Sequence, residues 1–326
     1  MNILVTGGAG YIGSFTVRAL KDAGHSVVVF DNFSEGHKEA IPKEVKVVEG
    51  DLVTGGQLIE KTIQINEIEA VMHFAAFIQA GESMQNPGKY FKNNVEGSFH
   101  LIETCALSGI RKFVFSSSAA VYGNPTKIPI PEEHPQSPTN AYGETKVMIE
   151  RLLHWYHQIH KINSISIRYF NAAGAALDGS LGEAHKNESH IIPLAIRAAL
   201  SKSEFTLFGD DYETKDGTCI RDYIHVLDLV EAHILALKAL ESGQMCAAYN
   251  AGTGQGYSNR EVIEMVKKVA GEFPVKVGPR REGDPAELVA DSSKLQKELG
   301  WKPKHSDLET IVKTAHLWHK QNPNGY

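Results

Sequence analysis

Through the first half of the chain, short apolar runs alternate with longer amphipathic stretches. Residues 3–6, 26–30, 46–48, 70–73, 112–116 and 164–168 are short, mainly apolar or alternating, and each opens toward a polar or glycine-bearing turn, which predicts strands. Residues 11–23, 95–108 and 141–160 carry apolar positions at helical spacing over helical lengths. This alternation predicts an α/β fold, a doubly wound parallel sheet of Rossmann type with helices on both faces. After residue 171 the pattern changes. Loops rich in Gly, Asp, Glu and Pro at 174–193, 209–217 and 279–285 separate helical pieces, which predicts a second, smaller α/β domain. The expected division is 1–172 and 173–326, with a segment of the latter, 218–245, packing back on the first domain. No internal repeat or low-complexity tract interrupts the pattern.

A chain of 326 residues is long enough to bury a full core. Its 33 Lys and Arg against 39 Asp and Glu leave a net charge of −6, with no basic run to follow a phosphate backbone, so nucleic acid is not an expected partner. Cys105, Cys219 and Cys246 are far apart and form no C-x-x-C pair, which predicts free thiols in a reducing compartment. Met1 leads through Ile3, Leu4 and Val5 directly into a glycine cluster, so no export signal is read. Apolar stretches such as 71–78 fall far short of the roughly 20 residues a bilayer requires. The expected location is the cytoplasm, with no membrane partner. No metal site is read from the chain.

The first predicted strand runs into Gly7-Gly8-Ala9-Gly10-Tyr11-Ile12-Gly13, which satisfies G-x-G-x-x-G from Gly8 and G-x-x-G-x-x-G from Gly7. Glycine serves such a turn because the backbone bends tightly, approaches a pyrophosphate with no Cβ in the way, and then packs a helix on the strand. The helix N-terminus presents free N–H groups to the phosphates. Glycines also make ordinary turns, so the context matters: a strand before, a helix after, and a second strand ending in Asp31, 18 residues beyond Gly13. A carboxylate there can accept from ribose hydroxyls and repels a 2′-phosphate, which favours NAD over NADP.

The strand at 112–116 ends in Ser117-Ser118, and 24 residues past Ser118 stands Tyr142-Gly143-Glu144-Thr145-Lys146. Residues i and i+4 share a helix face, so Tyr142 and Lys146 can point into one site. A phenol titrating near 10 must be lowered by about three units, about 4 kcal/mol, to act as a base at neutral pH. A neighbouring ammonium and a positive nicotinamide ring can supply that. Ser118 can hydrogen-bond a substrate oxygen. Tyr and Lys at this spacing are common on exposed helices, and the phosphate turn upstream is what gives this pair its meaning.

With these motifs in place the sequence resembles an extended short-chain dehydrogenase/reductase and, more narrowly, the UDP-glucose 4-epimerases, along essentially its whole length. The resemblance also rests on Asp31-Asn32, Asp51-Leu52, His73-Phe74-Ala75-Ala76, Gly81-Glu82-Ser83, Asn93-Asn94, the run from Ser116 to Gly123, Arg168-Tyr169-Phe170-Asn171, the run from Gly217 to Val226, and Pro279-Arg280-Arg281-Glu282-Gly283-Asp284. It implies that the first domain holds NAD through Gly7, Gly10, Tyr11, Ile12, Gly13, Asp31, Asn32, Asp51, Leu52, Phe74, Ala75, Asn93 and Phe170, with Ser118, Tyr142 and Lys146 as the catalytic set. It implies that the second domain holds UDP through Asn171, Arg221, Arg281 and Asp284, the arginines on the diphosphate and Asp284 on a ribose hydroxyl. The implied activity is interconversion of UDP-glucose and UDP-galactose by inversion at C4 through a transient 4-keto sugar, NAD being reduced and reoxidised within each turnover. A homodimer formed through helices within 95–108 and 141–160 is implied as well.

Two positions depart from the pattern. Ile78 stands where some epimerases carry a lysine that contacts the cofactor, and Ser189-His190-Ile191 stands where many carry an Asn-Asn pair near the sugar, so His190 is the corresponding substrate contact here. Among rivals, a nucleotide-sugar 4,6-dehydratase shares the first oxidation, but the Asp-Glu pair that family carries after its strand-end serine or threonine is Ala119-Ala120 here. A simple dehydrogenase and a catalytically idle NAD-binding sensor are the others. Leu288 holds the position that the resemblance places beside C2 of the sugar, and its intermediate size leaves UDP-N-acetylglucosamine open as a further substrate.

Overall fold

A computed structural model describes residues 1–281 and 284–326; Glu282 and Gly283 of the Pro279–Asp284 motif lie outside the described residues. The strands are β1 (Asn2–Thr6), β2 (Ser26–Asp31), β3 (Lys46–Glu49), β4 (Ala70–His73), β5 (Lys112–Ser116), β6 (Asn163–Tyr169), β7 (Asn171–Ala173), β8 (Phe205–Phe208), β9 (Ile220–His225), β10 (Ala247–Ala251), β11 (Gly256–Ser258), β12 (Val275–Gly278) and β13 (Glu287–Leu288). The helices are α1 (Tyr11–Asp22), α2 (Gly56–Ile65), α3 (Ala80–Gln85), α4 (Pro87–Tyr90), α5 (Gly97–Leu107), α6 (Ala141–His160), α7 (Ile191–Ser201), α8 (Val226–Glu241), α9 (Asn259–Ala270), α10 (Ser293–Leu299) and α11 (Leu308–Gln321). All six strands expected in the first half are present, each within one residue of its predicted end.

The chain divides into two compact units. The first comprises residues 1–123, 135–168 and 230–249; the second comprises 124–134, 169–229 and 250–326. The chain thus crosses five times, where the sequence reading placed one crossing near residue 172 and a returning segment at 218–245.

In the first unit a seven-stranded sheet has the order β10-β6-β5-β4-β1-β2-β3. The pairs from β6 to β3 are all parallel. Leu4, Val28, Phe30, Val71, Phe113 and Phe115 share one cluster with apolar residues of α2, α5 and α6. Their neighbours Ile3, Val5, Val27, Val29, Met72 and Val114 are buried too. Because successive strand residues face opposite sides, both faces of the sheet are covered, as a Rossmann-type sheet requires. The order reverses beside β1, where β2 lies on one side and β4 on the other, and ligands bind at the carboxyl ends of strands at such a switch.

Among the described residues the second unit has two small sheets. β9 pairs antiparallel with β11 and parallel with β7 and β13, while β8 and β12 form a parallel pair. Its core gathers α7, α9 and α11 around Tyr223 and Leu207. Within this unit Asp228, at the first turn of α8, fastens the segment before α11. Its carboxylate accepts from Lys304 N, His305 N and Ser306 Oγ, and its carbonyl accepts from Trp301 Nε1. Among the described residues no helix is long and apolar enough to cross a membrane. Replacing Asp228 with Ala strands three donors around a fully buried position, so urea denaturation should show a loss of about 3 kcal/mol.

Candidate active site

β1 ends at Thr6, and Gly7 turns the chain with φ +71°, where a Cβ would lie 2.5 Å from Ala75 N. Gly7 N donates to Phe30 O (3.0 Å), Gly10 N to Gly7 O (3.1 Å) and Ser14 N to Gly10 O (2.9 Å). A Cβ on Gly13 would collide with the Gly7 carbonyl oxygen. Gly10 caps α1 in an extended conformation with no side chain on the first-turn N–H groups, so Tyr11, Ile12 and Gly13 present donors of the kind that bind a diphosphate. Asp31 ends β2, its Oδ2 accepting from Ala9 N and its Oδ1 from Phe33 N, both at 2.9 Å. Burial pushes its carboxyl up while these N–H groups oppose the shift.

The other expected cofactor residues of this unit fall around the same strand ends. Asn32 Nδ2 donates to Asp51 Oδ2 (2.8 Å), and Leu52 beside it is buried in the core. Phe74 and Ala75 continue β4. Asn93 lies on a π-helical turn, Phe91–Glu96, and donates to Asn94 Oδ1 (2.9 Å). Such turns recur at functional sites. The cradle suits NAD: its close-packed glycines leave backbone where side chains would intrude, and a carboxylate ends the second strand.

Ser118 follows β5. Its Oγ accepts from Ala120 N (3.1 Å) and caps the 3-10 turn Ala119–Tyr122. α6 starts where Asn140 Oδ1 accepts from Gly143 N (2.8 Å), and Gly143 lies so close to that turn that a Cβ would come 2.5 Å from Ala120 O. Tyr142 N donates to Ser83 Oγ (3.1 Å), whose hydroxyl donates to Ala80 O (2.6 Å). One turn on, Lys146 Nζ donates to Ser116 O (2.8 Å) and lies 5.7 Å from the centroid of the Tyr142 ring and 4.9 Å from that of Phe115. Ser118, Tyr142 and Lys146 are all buried. Burial pushes the Lys146 ammonium down to about 7, with Glu150 pulling the other way.

Behind this set, His73 joins β4 to its surroundings. Ser98 donates its hydroxyl to Asn94 O, so its oxygen must accept from His73 Nε2 (2.7 Å); His73 Nδ1 then accepts from Thr6 Oγ1 (2.6 Å). Burial, with Lys146 adding to it, pushes His73 down to about 3, which keeps this Nε2–H tautomer neutral.

The residues expected to hold the nucleotide lie in the second unit. Arg221, on β9, donates to Ile220 O (2.9 Å) and stands 3.7 Å from Asp284. The guanidinium of Arg281 stacks 4.3 Å over the Phe208 ring. Leu288 is in parallel register with Arg221, and Asn171 with Tyr223. Phe170 is buried, its N–H donating to Ala251 O (3.4 Å). His190 caps α7, and its Nδ1 is 2.5 Å from Glu183 Oε1, within a group that also contains His185 and Glu188.

Residues 3–252 match the family described as NAD dependent epimerase/dehydratase family. The chain belongs to that family. It is similar to a UDP-glucose 4-epimerase of Lactobacillus helveticus, with 48% identity over 100% of this chain and 99% of the relative. It also superposes on the UDP-glucose 4-epimerase of Bifidobacterium longum in complex with NAD+ and UDP, with TM-score 0.94, 37% identity and full coverage of both chains. The UDP-Glc/GlcNAc 4-epimerase of Campylobacter jejuni is similar at TM-score 0.85 and 43% identity, over 98% of this chain and 99% of that one. NAD is accordingly the cofactor of this family member.

Sequence reasoning missed the residues that position this NAD-dependent site. Ser83 stood in a quoted motif without a role; in the structure it accepts from the Tyr142 N–H. Asn94 was passed over for Asn93, yet its buried side chain bridges Phe77 N and O and Thr145 Oγ1. His73 and Thr6 lie 67 residues apart, and no local spacing reveals such a pair. The lowered Lys146 pKa sets a linkage with a definite sign. Charging Lys146 in the fold is penalised fully below about 7, and the penalty is relieved as pH rises toward the unfolded value near 10.4. The urea stability of wild type relative to Lys146→Met should therefore rise between pH 7 and 10; a flat difference would contradict the burial of an unpaired ammonium.

Proposed function

We propose that the protein is a UDP-glucose 4-epimerase, an NAD-dependent isomerase that inverts C4 of UDP-glucose and UDP-galactose. The observation that carries the reading is the buried Lys146 beside Tyr142, one helical turn apart and adjoining the strand end that bears Ser118. When bound, NAD supplies the hydride acceptor at C4 and the donor that returns the same hydride, so no net oxidation accumulates. Tyr142, deprotonated under the field of Lys146, takes the proton of the 4-hydroxyl and gives it back when the configuration has changed. Ser118 accepts Ala120 N–H on its oxygen, which leaves its own hydrogen to donate to the sugar oxygen.

Most of the NAD contacts lie in the first unit, and the UDP contacts lie in the second. Gly7, Gly10, Tyr11, Ile12 and Gly13 take the cofactor pyrophosphate, Asp31 and Asn32 a ribose, and Asp51, Leu52, Phe74, Ala75, Asn93 and Phe170 the remaining cofactor contacts. Arg221 and Arg281 hold the UDP diphosphate, Asp284 and Asn171 the remaining polar groups, and Leu288 lies beside the sugar. Firm grip on the nucleotide with a loosely held hexose permits the ketosugar to turn and present its other face. Dehydration is disfavoured because Ala119 and Ala120, in the turn capped by Ser118, offer no acid or base. The setting is the cytoplasm, and the assembly is a homodimer through α5 and α6, which expose Phe99, Trp155 and Ile159.

An end-point assay with UDP-galactose should give UDP-glucose with no net NADH; stoichiometric NADH or a dehydrated ketosugar would overturn the assignment. In the same assay Tyr142→Phe should lose about 1000-fold in kcat, a general-base loss within the usual range, while UDP affinity stays within about twofold.

A second substrate, UDP-N-acetylglucosamine, is favoured by the leucine at 288 and by the similarity to an epimerase described as acting on both sugars. Leu288→Tyr should cut kcat/KM for the N-acetylated sugar by about 10-fold or more with little change for UDP-galactose, the size of a steric pocket effect. Equal losses on both would remove Leu288 from that role.

A further inference from the structure

The loop before α7 carries Glu183, His185, Glu188 and His190, a E-x-H-x-x-E-x-H sequence in which each residue turns one potential ligand atom to the same point. These four atoms lie within 4.8 Å of one another. His185 Nδ1 is 3.2 Å from Glu183 Oε1 and 3.4 Å from Glu188 Oε2; His190 Nδ1 is 2.5 Å from Glu183 Oε1 and 3.7 Å from Glu188 Oε1. Four donors bound tetrahedrally to zinc at about 2.0–2.1 Å stand about 3.3 Å apart, so the cluster already has nearly the dimensions of a coordination shell.

An independent feature marks the same point. The Glu188 side chain is 1% exposed. Its Oε1 accepts from Ser189 N (2.8 Å) and His190 N (2.9 Å), whereas its buried Oε2 makes no well-formed hydrogen bond and has only His185 Nδ1 before it, at 3.4 Å. A buried carboxylate oxygen left in this way is costly unless a proton or a cation meets it. Glu183 is equally sequestered at 5% exposed and is held from behind by Trp318 Nε1 on its carbonyl (3.1 Å).

We propose that Glu183, His185, Glu188 and His190 form a four-coordinate site for a first-row divalent cation, with zinc as its occupant. Two imidazole nitrogens and two carboxylate oxygens suit zinc, whose d10 shell imposes no geometry of its own. Calcium and magnesium prefer all-oxygen shells of six or more. All four donors come from the protein, which marks the site as structural, binding 183–190 to the first turn of α7. His190 is then a metal ligand through Nδ1 and not the sugar contact that resemblance suggested.

The test uses the full-length protein, stripped with EDTA, re-exposed to zinc sulfate, desalted and counted by inductively coupled plasma mass spectrometry. Wild type should retain about one zinc per chain and melt at a higher temperature than the stripped form, as metal binding coupled to folding requires. Cobalt in place of zinc should give the visible d–d absorption of a four-coordinate ion. The double variant His185→Asn, Glu188→Gln should bind zinc at least about 100-fold more weakly, whereas His154→Asn, on the exposed face of α6, should bind as wild type does. Zinc content in wild type below about 0.1 per chain, or equal retention by the double variant, would overturn the proposal. The wild-type count and the cobalt spectrum stand even where the double variant fails to fold.

Discussion

Two close backbone approaches shape the cofactor region, that of Gly7 to the backbone following β4 and that of Gly13 to the Gly7 carbonyl, and much of the first unit's geometry follows from them. A side chain at Gly7 would meet Ala75 N, and one at Gly13 would meet the Gly7 carbonyl. With both absent, β1 and β4 stay in parallel register up to Thr6 and His73, and α1 starts immediately beyond the sheet edge. The first-turn N–H groups of α1 and the Asp31 carboxylate then share one strand end. Ala9 N–H donating to Asp31 Oδ2 fixes the loop between them. A dinucleotide site made this way is largely backbone, which is why its residue types are dictated by lack of volume more than by chemistry.

That dependence explains what was legible in the sequence. Strands buried on both faces read as short apolar runs, so β1, β2 and β4 to β6 appeared at nearly their true limits, as did the exposed edge strand β3 through its valine pair, and α6 at its true ones. β10 did not appear: Ala247–Ala251 is AAYNA, too small and polar to stand out as an edge strand. The segment 80–96 was also opaque. It holds two short helices and a π-helical turn, interrupted by Pro87, and its conformation answers to Asn94 taking the Phe77 backbone groups across 17 residues. Neither period nor propensity carries information of that range.

The candidate site divides in the same way. Tyr142 and Lys146 were legible because i, i+4 spacing is local, and Ser118 because it ends a strand. Ser83, His73 and Thr6 were not, because they act through contacts between segments distant in sequence. At His190 resemblance and local surroundings point in different directions. Position alone assigned it to a sugar, whereas its surroundings are Glu183, His185 and Glu188. Burial opposes protonation of His185, yet the Glu183 and Glu188 carboxylates beside it push its pKa up.

The two buried cations of the first unit show how one carboxylate can set the state of a neighbouring group by being occupied elsewhere. Glu150 sits on α6 one turn beyond Lys146, the natural distance for an ion pair. It binds Arg168 instead, through Nε (3.0 Å) and Nη2 (2.6 Å), while also accepting from Ser117 Oγ and Gln136 Nε2. Against the opposing effect of burial, that pairing holds the Arg168 guanidinium firmly charged. Lys146 is left with a carbonyl, and among the described residues no carboxylate lies within ion-pairing distance of it. Its charge is therefore unneutralised, expensive to bury, and available to the neighbouring phenol. Had Glu150 faced Lys146, the ammonium would be more stable and its field on the neighbouring ring partly cancelled. In the proposed mechanism the Arg168–Glu150 pair, although it touches no substrate, thus helps to leave Lys146 free to act on Tyr142.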